Sequence, residues 1–376
     1  MKLDIILEGS GSSQSFSPGG QVRGRLEIRG RVFKRPPSIN ATLRGRLKLL
    51  VRPRGNAPPE RVMHTLFEVS QQIEINKEIS SVGPTEHKSN DWSQPDYSAP
   101  FEFIFPSASN SCQCQLPPSL HMASSLVRIK VEYTLVVAVR QNMLCGVTRT
   151  KRVQRELSLR SEAGTVFLPS STIGCLPANK LCPKMNNALQ EAYRSRFTNP
   201  DWLPPYTPSL QVEVVLSSPP ILTIGKPTQI QVVLHVPPEL LEGENIYLRS
   251  AVMQLKSSVT TIVGTISGSS TETHDLWSCR GRVHLDKRRL ELDSGTWGSC
   301  IVLDTWPTCT SCVLDLKHAI EVVAGISRGD DQEIQYVHAS LDILVMDPPP
   351  NYIPNIPTRA DTPAQGREGT GSMPAV

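Results

Sequence analysis

The sequence predicts an all-β protein made of two β-sandwich domains in series, and three observations predict it. Apolar and polar residues alternate with period two over many short segments. Clusters of turn-forming Pro, Gly, Asn and Ser separate these segments at the spacing usual for sandwiches. At mid-chain, residues 166–208 hold seven of the 32 Pro, and the alternation stops. With 376 residues and 39% hydrophobic content, the chain has apolar material for more than one core.

The first domain is expected over residues 1–165. Lys2–Glu8 opens it as a strand, and Ser15–Gly20 follows as a turn, because Pro presets φ and Gly supplies positive φ. Over Val22–Arg29, the residues Val22, Gly24, Leu26 and Ile28 share one face, and Arg23, Arg25, Glu27 and Arg29 share the other. Ile39–Val51 repeats the pattern. Pro53–Pro59 is a loop, His64–Ile79 an apolar strand region, Ser80–Ala99 a second loop and Pro100–Phe105 a short aromatic strand. Leu116–Ser119 is a turn before the strand Leu126–Val139, and Leu144–Ser161 is a basic strand.

Residues 166–207 are expected as a Pro-rich linker. Met185, Leu189, Tyr193 and Phe197 recur at i+4 within it, which marks a short connector helix, with an amphipathic membrane segment as the alternative. The second domain is expected over 208–346. Its strands are read at Leu210–Leu216, Gln229–Val236, Ile246–Val263, Arg280–Leu285, Gly298–Leu303, Ala319–Ile326 and Leu341–Val345. The tail 347–376 is rich in Pro, Gly and Thr, poor in apolar residues, and expected to be disordered.

Charge is distributed unevenly. Residues 1–55 hold twelve Lys or Arg and three acids, a local charge of +9 in a chain of net charge +4. Arg23, Arg25, Arg29, Arg44, Arg46 and Lys48 are therefore candidates for a basic face toward anionic membrane or an acidic cargo, with an ordinary solvated strand face as the alternative. No RNA- or DNA-binding fold signature accompanies the charge, so nucleic acid is not an expected partner. The Met1 end has no apolar stretch of the signal-peptide kind, and no run of about eighteen apolar residues marks a membrane span. Nine Cys, an odd number without secretory context, are expected to be reduced.

Enzymatic constellations are missing from the sequence. It has no Gly-rich phosphate loop, zinc-protease motif or nucleophile elbow in a usable context. Cys309-Thr310-Ser311-Cys312 and Cys112-Gln113-Cys114 are close-spaced, with Cys279 and Cys300 further off, but a zinc site needs four well-spaced ligands. Catalytic residues, cofactors and metal ligands are accordingly assigned to no position.

Two short motifs point to a binding partner. Pro349-Pro350-Asn351-Tyr352 fits the P-P-x-Y pattern of WW-domain ligands. Consecutive Pro favours polyproline II, so docking between aromatic side chains costs little conformational entropy. Tyr352 then fills a neighbouring pocket and offers its hydroxyl, while Asn351 is the free position. Leu203-Pro204-Pro205-Tyr206 in the linker fits the looser L-P-x-Y form, either as a second such ligand or as a segment packed on a domain.

The order of landmarks in residues 1–160 resembles the arrestin family, in particular the fungal α-arrestins. The landmarks are Phe16-Ser17-Pro18-Gly19-Gly20-Gln21-Val22-Arg23-Gly24, then Ile39-Asn40-Ala41-Thr42-Leu43-Arg44-Gly45, then Leu116-Pro117-Pro118-Ser119, and last Val131-Glu132-Tyr133-Thr134-Leu135. Residues 208–346 match in pattern only. The resemblance implies two arrestin-like sandwiches in tandem and no catalysis. It also implies a cytoplasmic adaptor, recruited peripherally to the plasma membrane or endosomes. Such an adaptor links cytoplasmic parts of membrane transporters or receptors to a WW-domain HECT-type ubiquitin ligase. An arrestin-fold signalling or trafficking scaffold without a ligase, as in ambient-pH sensing, is the alternative. One departure is the tail, about thirty residues with one P-P-x-Y, where fungal α-arrestins often carry several.

Overall fold

The alternation read from the sequence becomes strand after strand in the computed structural model. It describes residues 2–8, 15–29, 37–53, 58–74, 97–110, 114–142, 148–160, 170–181, 208–216, 219–241, 245–292, 300–303, 305–329 and 333–348. The fold is all-β, and the chain divides into two compact units.

Unit 1 comprises Met1–Thr165 together with Val259–Ser270 and Cys309–Asp315. Its strands are β1 (Lys2–Leu7), β2 (Ser15–Phe16), β3 (Gln21–Arg29), β4 (Ser38–Val51), β5 (Glu60–Ile73), β6 (Tyr97–Ile104), β7 (Leu120–Ala123), β8 (Val127–Asn142) and β9 (Thr148–Leu159). A three-stranded sheet runs β1-β3-β6, and a six-stranded sheet runs β2-β9-β8-β4-β5 with β7 on β8. The inward faces are those expected: Val22, Leu26 and Ile28 on β3, Ile39, Ala41 and Leu43 on β4, and Ile129, Val131 and Tyr133 on β8 are all buried. Phe105, just past β6, joins the two sheets, with ring centroids 5.8 Å from Phe16, 6.0 Å from Phe67 and 5.7 Å from Tyr133.

Each landmark in this unit has a packing reason. Gly19 takes positive φ (75°), and its amide donates to the Phe105 carbonyl at 3.0 Å, tying the turn to the residue just past β6. A Cβ on Gly24 would collide with the Ile6 carbonyl and come within 2.7 Å of Phe101. One on Gly45 would come within 2.7 Å of Tyr133 and 2.8 Å of Phe67. The Tyr133 hydroxyl donates to the Pro117 carbonyl at 2.6 Å, so two landmarks distant in sequence close on each other. Ser119 pins β9: its hydroxyl accepts from the Leu159 amide at 2.9 Å, and its own amide donates to the Leu159 carbonyl at 3.0 Å.

Unit 2 comprises Val166–Ser258, Thr271–Thr308 and Leu316–Val376. The strands continue as β10 (Ser171–Thr172), β11 (Gly174–Pro177), β12 (Ser209–Leu216), β13 (Ile221–Thr223), β14 (Pro227–Thr228), β15 (Ile230–His235), β16 (Ile246–Val263), β17 (Ile266–His284), β18 (Arg289–Leu292), β19 (Cys300–Ile301), β20 (Cys309–Thr310), β21 (Leu314–Arg328) and β22 (Gln335–Met346). Of these, β20, the last residues of β16 from Val259, the first residues of β17 up to Ser270 and the start of β21 up to Asp315 fall in unit 1. One sheet runs β10-β22-β21-β16-β17 with β13 on β22 and β20 on β21; another runs β11-β12-β15-β18; β14 pairs with β19. A single apolar cluster fills the unit, including Leu210, Val212, Ile230, Leu234, Leu248, Leu255, Ile320, Val322 and Ile343.

The structure departs from the sequence reading at several places. β16 has the expected bounds, but its partner β17 begins fourteen residues before the expected Arg280. The Ser- and Thr-rich first half of β17 buries only Gly268 and Ser270, so it lacks the apolar alternation that betrays a strand. Within the expected linker, residues 171–177 form β10 and β11, which add to β22 and β12. Pairing with strands far along the chain makes them strands, and nothing local announces it. The helical stripe Met185–Phe197 lies outside the described residues.

Candidate interaction surfaces

The six basic residues of the expected face divide between two sheets. Arg23, Arg25 and Arg29 stand on β3, in the three-stranded sheet; Arg44, Arg46 and Lys48 stand on β4, in the six-stranded one. All alternate with buried residues and so point outward, and the outer faces of two packed sheets look away from each other. The six therefore do not form one surface.

Nor are these groups bare. Arg23 meets Glu102 of β6 at 3.1 Å. Glu27, only 4% exposed, accepts from Arg25 at 3.2 Å and from Arg29 at 2.8 Å. On β4, Arg44 donates through Nε to the Thr134 hydroxyl at 3.1 Å, Arg46 lies 3.9 Å from Glu68, and Lys48 pairs with Glu132. Lys130 extends the row, 3.1 Å from Glu132 and 3.0 Å from Glu156. The hydrogen bond to Glu156 leads in holding the Lys130 ammonium above its usual range, against its partial burial. Burial pushes the Glu132 carboxyl up, but the hydrogen bonds and charges of Lys48 and Lys130 outweigh this and leave it lowered. Three of the basic residues of 1–55, Arg23, Arg46 and Lys48, are thus met across the sheets by Glu102, Glu68 and Glu132, a pairing no local count reveals.

The motif Pro349-Pro350-Asn351-Tyr352 lies outside the described residues, as does Leu203-Pro204-Pro205-Tyr206. What is described is the anchorage just before the tail. Leu344, Val345 and Met346 pair in parallel with Ile221, Leu222 and Thr223. The Val345 amide donates to the Thr308 hydroxyl at 2.8 Å, and the Met346 carbonyl accepts from the Ile224 amide at 3.0 Å. The chain is held on both sides up to Met346, and Pro349 comes three residues later.

Cys309 is buried and Cys312 exposed. Among the described residues, no three His, Cys, Asp or Glu side chains are grouped to hold a metal ion, and no helix is long and apolar enough to cross a membrane. His318 is 2% exposed, with Nδ1 at 2.9 Å from the Ser257 hydroxyl. Burial lowers its pKa to about 4; His274 nearby acts in the same direction, and a backbone hydrogen bond with Trp306 acts against it.

The sequence reading passed over a second basic run, in unit 2. Residues 280–289 contain Arg280, Arg282, Lys287, Arg288 and Arg289 with Asp286 as their one acid. A charge count over ten-residue windows finds it beside the larger excess in residues 1–55. A scan against protein-family models and a search of curated proteins find no match to the chain.

Proposed function

We propose that this protein is an arrestin-like adaptor that joins cytoplasmic parts of membrane transporters or receptors to a WW-domain HECT-type ubiquitin ligase. The observation that carries the reading is Pro349-Pro350-Asn351-Tyr352, which has the pattern of a WW-domain ligand and follows Met346, the last residue of β22, by three positions in the sequence. The all-β, two-unit body and the landmarks of residues 1–160 support the arrestin-like part of the reading. Ubiquitination of the captured membrane protein and its endocytosis follow from bringing ligase and cargo together. Leu203, Pro204 and Tyr206 are the candidate second contact, which would add avidity with a ligase of several WW domains.

A ligase-independent scaffold is the second reading, favoured by P-P-x-Y occurring once in the sequence. Titration of a peptide spanning 345–356 with WW domains of a HECT ligase separates the two. Saturable binding abolished by Tyr352→Ala is expected. A titration without binding, or one that Tyr352→Ala leaves unchanged, removes the ligase from the reading.

A further inference from the structure

The basic run of unit 2 is set on an edge strand. Arg280, Arg282 and His284 occupy alternate, exposed positions at the end of β17. Alternate residues of a strand share a face and stand about 7 Å apart, so the three make a straight row. Tyr247 of β16 lies under that row: the Arg282 guanidinium is 4.0 Å from its ring centroid, and the His284 ring is 5.2 Å away. The contact orients Arg282. Arg280 has no ion pair among the described residues. Lys287 and Arg288 follow in the exposed turn after β17.

The backbone of β17 is open along the same stretch. β17 ends the sheet order, and β16 is its only hydrogen-bonded neighbour among the described strands. An edge of this kind is a template for another strand, and like charges along it repel an identical edge. The same charges attract a strand of opposite sign whose side chains recur at the same two-residue period. A flat anionic membrane would engage the charges but has no use for the open amides and carbonyls.

We propose that the C-terminal half of β17 is a docking edge for an extended acidic peptide, with Asp or Glu at every second position facing Arg280, Arg282 and His284. The site lies apart from the tail motif and does not depend on a ligase.

The test uses the full chain and a fluorescent peptide alternating Glu and Thr, read by anisotropy at low ionic strength. Binding is expected, weakened about tenfold or more by Arg280→Glu and absent for a peptide alternating Lys and Thr. A Glu–Thr peptide N-methylated at every residue is expected to bind more weakly, because neither of its edges can donate a backbone hydrogen bond. Tyr352→Ala is expected to leave the affinity unchanged. Affinity unaffected by Arg280→Glu overturns the site, as does equal binding of the N-methylated peptide or loss of binding in Tyr352→Ala. Arg280-dependent binding to phosphatidylserine vesicles without any peptide binding overturns it in favour of a membrane surface.

Discussion

At the scale of single residues, His318 shows how burial sets chemistry. The ring is enclosed and bonded through Nδ1 to the Ser257 hydroxyl, so protonation would leave a charge in an apolar interior. Its pKa falls from 6.5 to about 4. The folded state therefore binds this proton less readily than the unfolded chain. The stabilisation is complete above about pH 6.5 and is lost as the pH falls toward 4, about 3 kcal/mol in all. Melting temperatures followed between those two pH values should fall for the native protein and fall less steeply for His318→Gln. Equal slopes would show that His318 does not carry the acid sensitivity. Nothing in the segment Lys317-His318-Ala319 signals this; the ring is buried because Leu316 and Ile320, two residues to either side, fix which face of β21 turns inward.

At the scale of elements, the pairing of β1 on β3 depends on a position without a side chain. Gly24 lies opposite Leu7 in the ladder, and a Cβ there would strike the backbone carbonyl of Ile6. A carbonyl held in a sheet cannot rotate aside as a side chain can. Gly24→Ala should cost about 3 kcal/mol, measured by denaturant unfolding. Gly264 makes the contrast. Its Cβ would meet nothing within 4 Å, so Gly264→Ala carries only the cost of a positive φ, about 1 kcal/mol. If the two substitutions cost the same, close strand approach is not what Gly24 serves. Strands with an apolar face were legible in the sequence, β16 to the residue. The first half of β17 was not, because an edge strand that buries little has no pattern to read.

At the scale of the whole molecule, the two units are not two consecutive blocks of chain. Val259–Ser270, the tip of the β16–β17 hairpin, belongs to unit 1, where the Gly268 Cβ position is 2.9 Å from Leu49 and 3.1 Å from Val127. Both of these residues are buried. A fragment of residues 1–165 lacks that cover and exposes apolar surface at one end of β4 and β8. The fragment should bind a hydrophobic dye and melt below the full chain, and adding the hairpin segment on a flexible linker should reverse both. A fragment that melts at the temperature of the full chain would show the tip to be dispensable. Domain limits drawn where composition changes, at 165 and 208, follow the chain; compactness follows contacts, and a long hairpin carries contacts far from its root.

The sequence by itself determined the all-β class, the inward and outward faces of β3, β4 and β8, and the glycines and turn residues that the packing of unit 1 requires. These are local properties: side-chain period, turn chemistry and the absence of a Cβ act within a few residues. Tertiary structure alone decided which charges meet and which edges stay open. The basic stretch of residues 1–55 is divided between two sheets, and Arg23, Arg46 and Lys48 meet acids brought from elsewhere in the chain, while Arg280 lies along an edge that no described strand covers. Whether a charge is paired depends on its neighbours across the sheet, and strand order, which sets those neighbours, is fixed by contacts between residues distant in sequence.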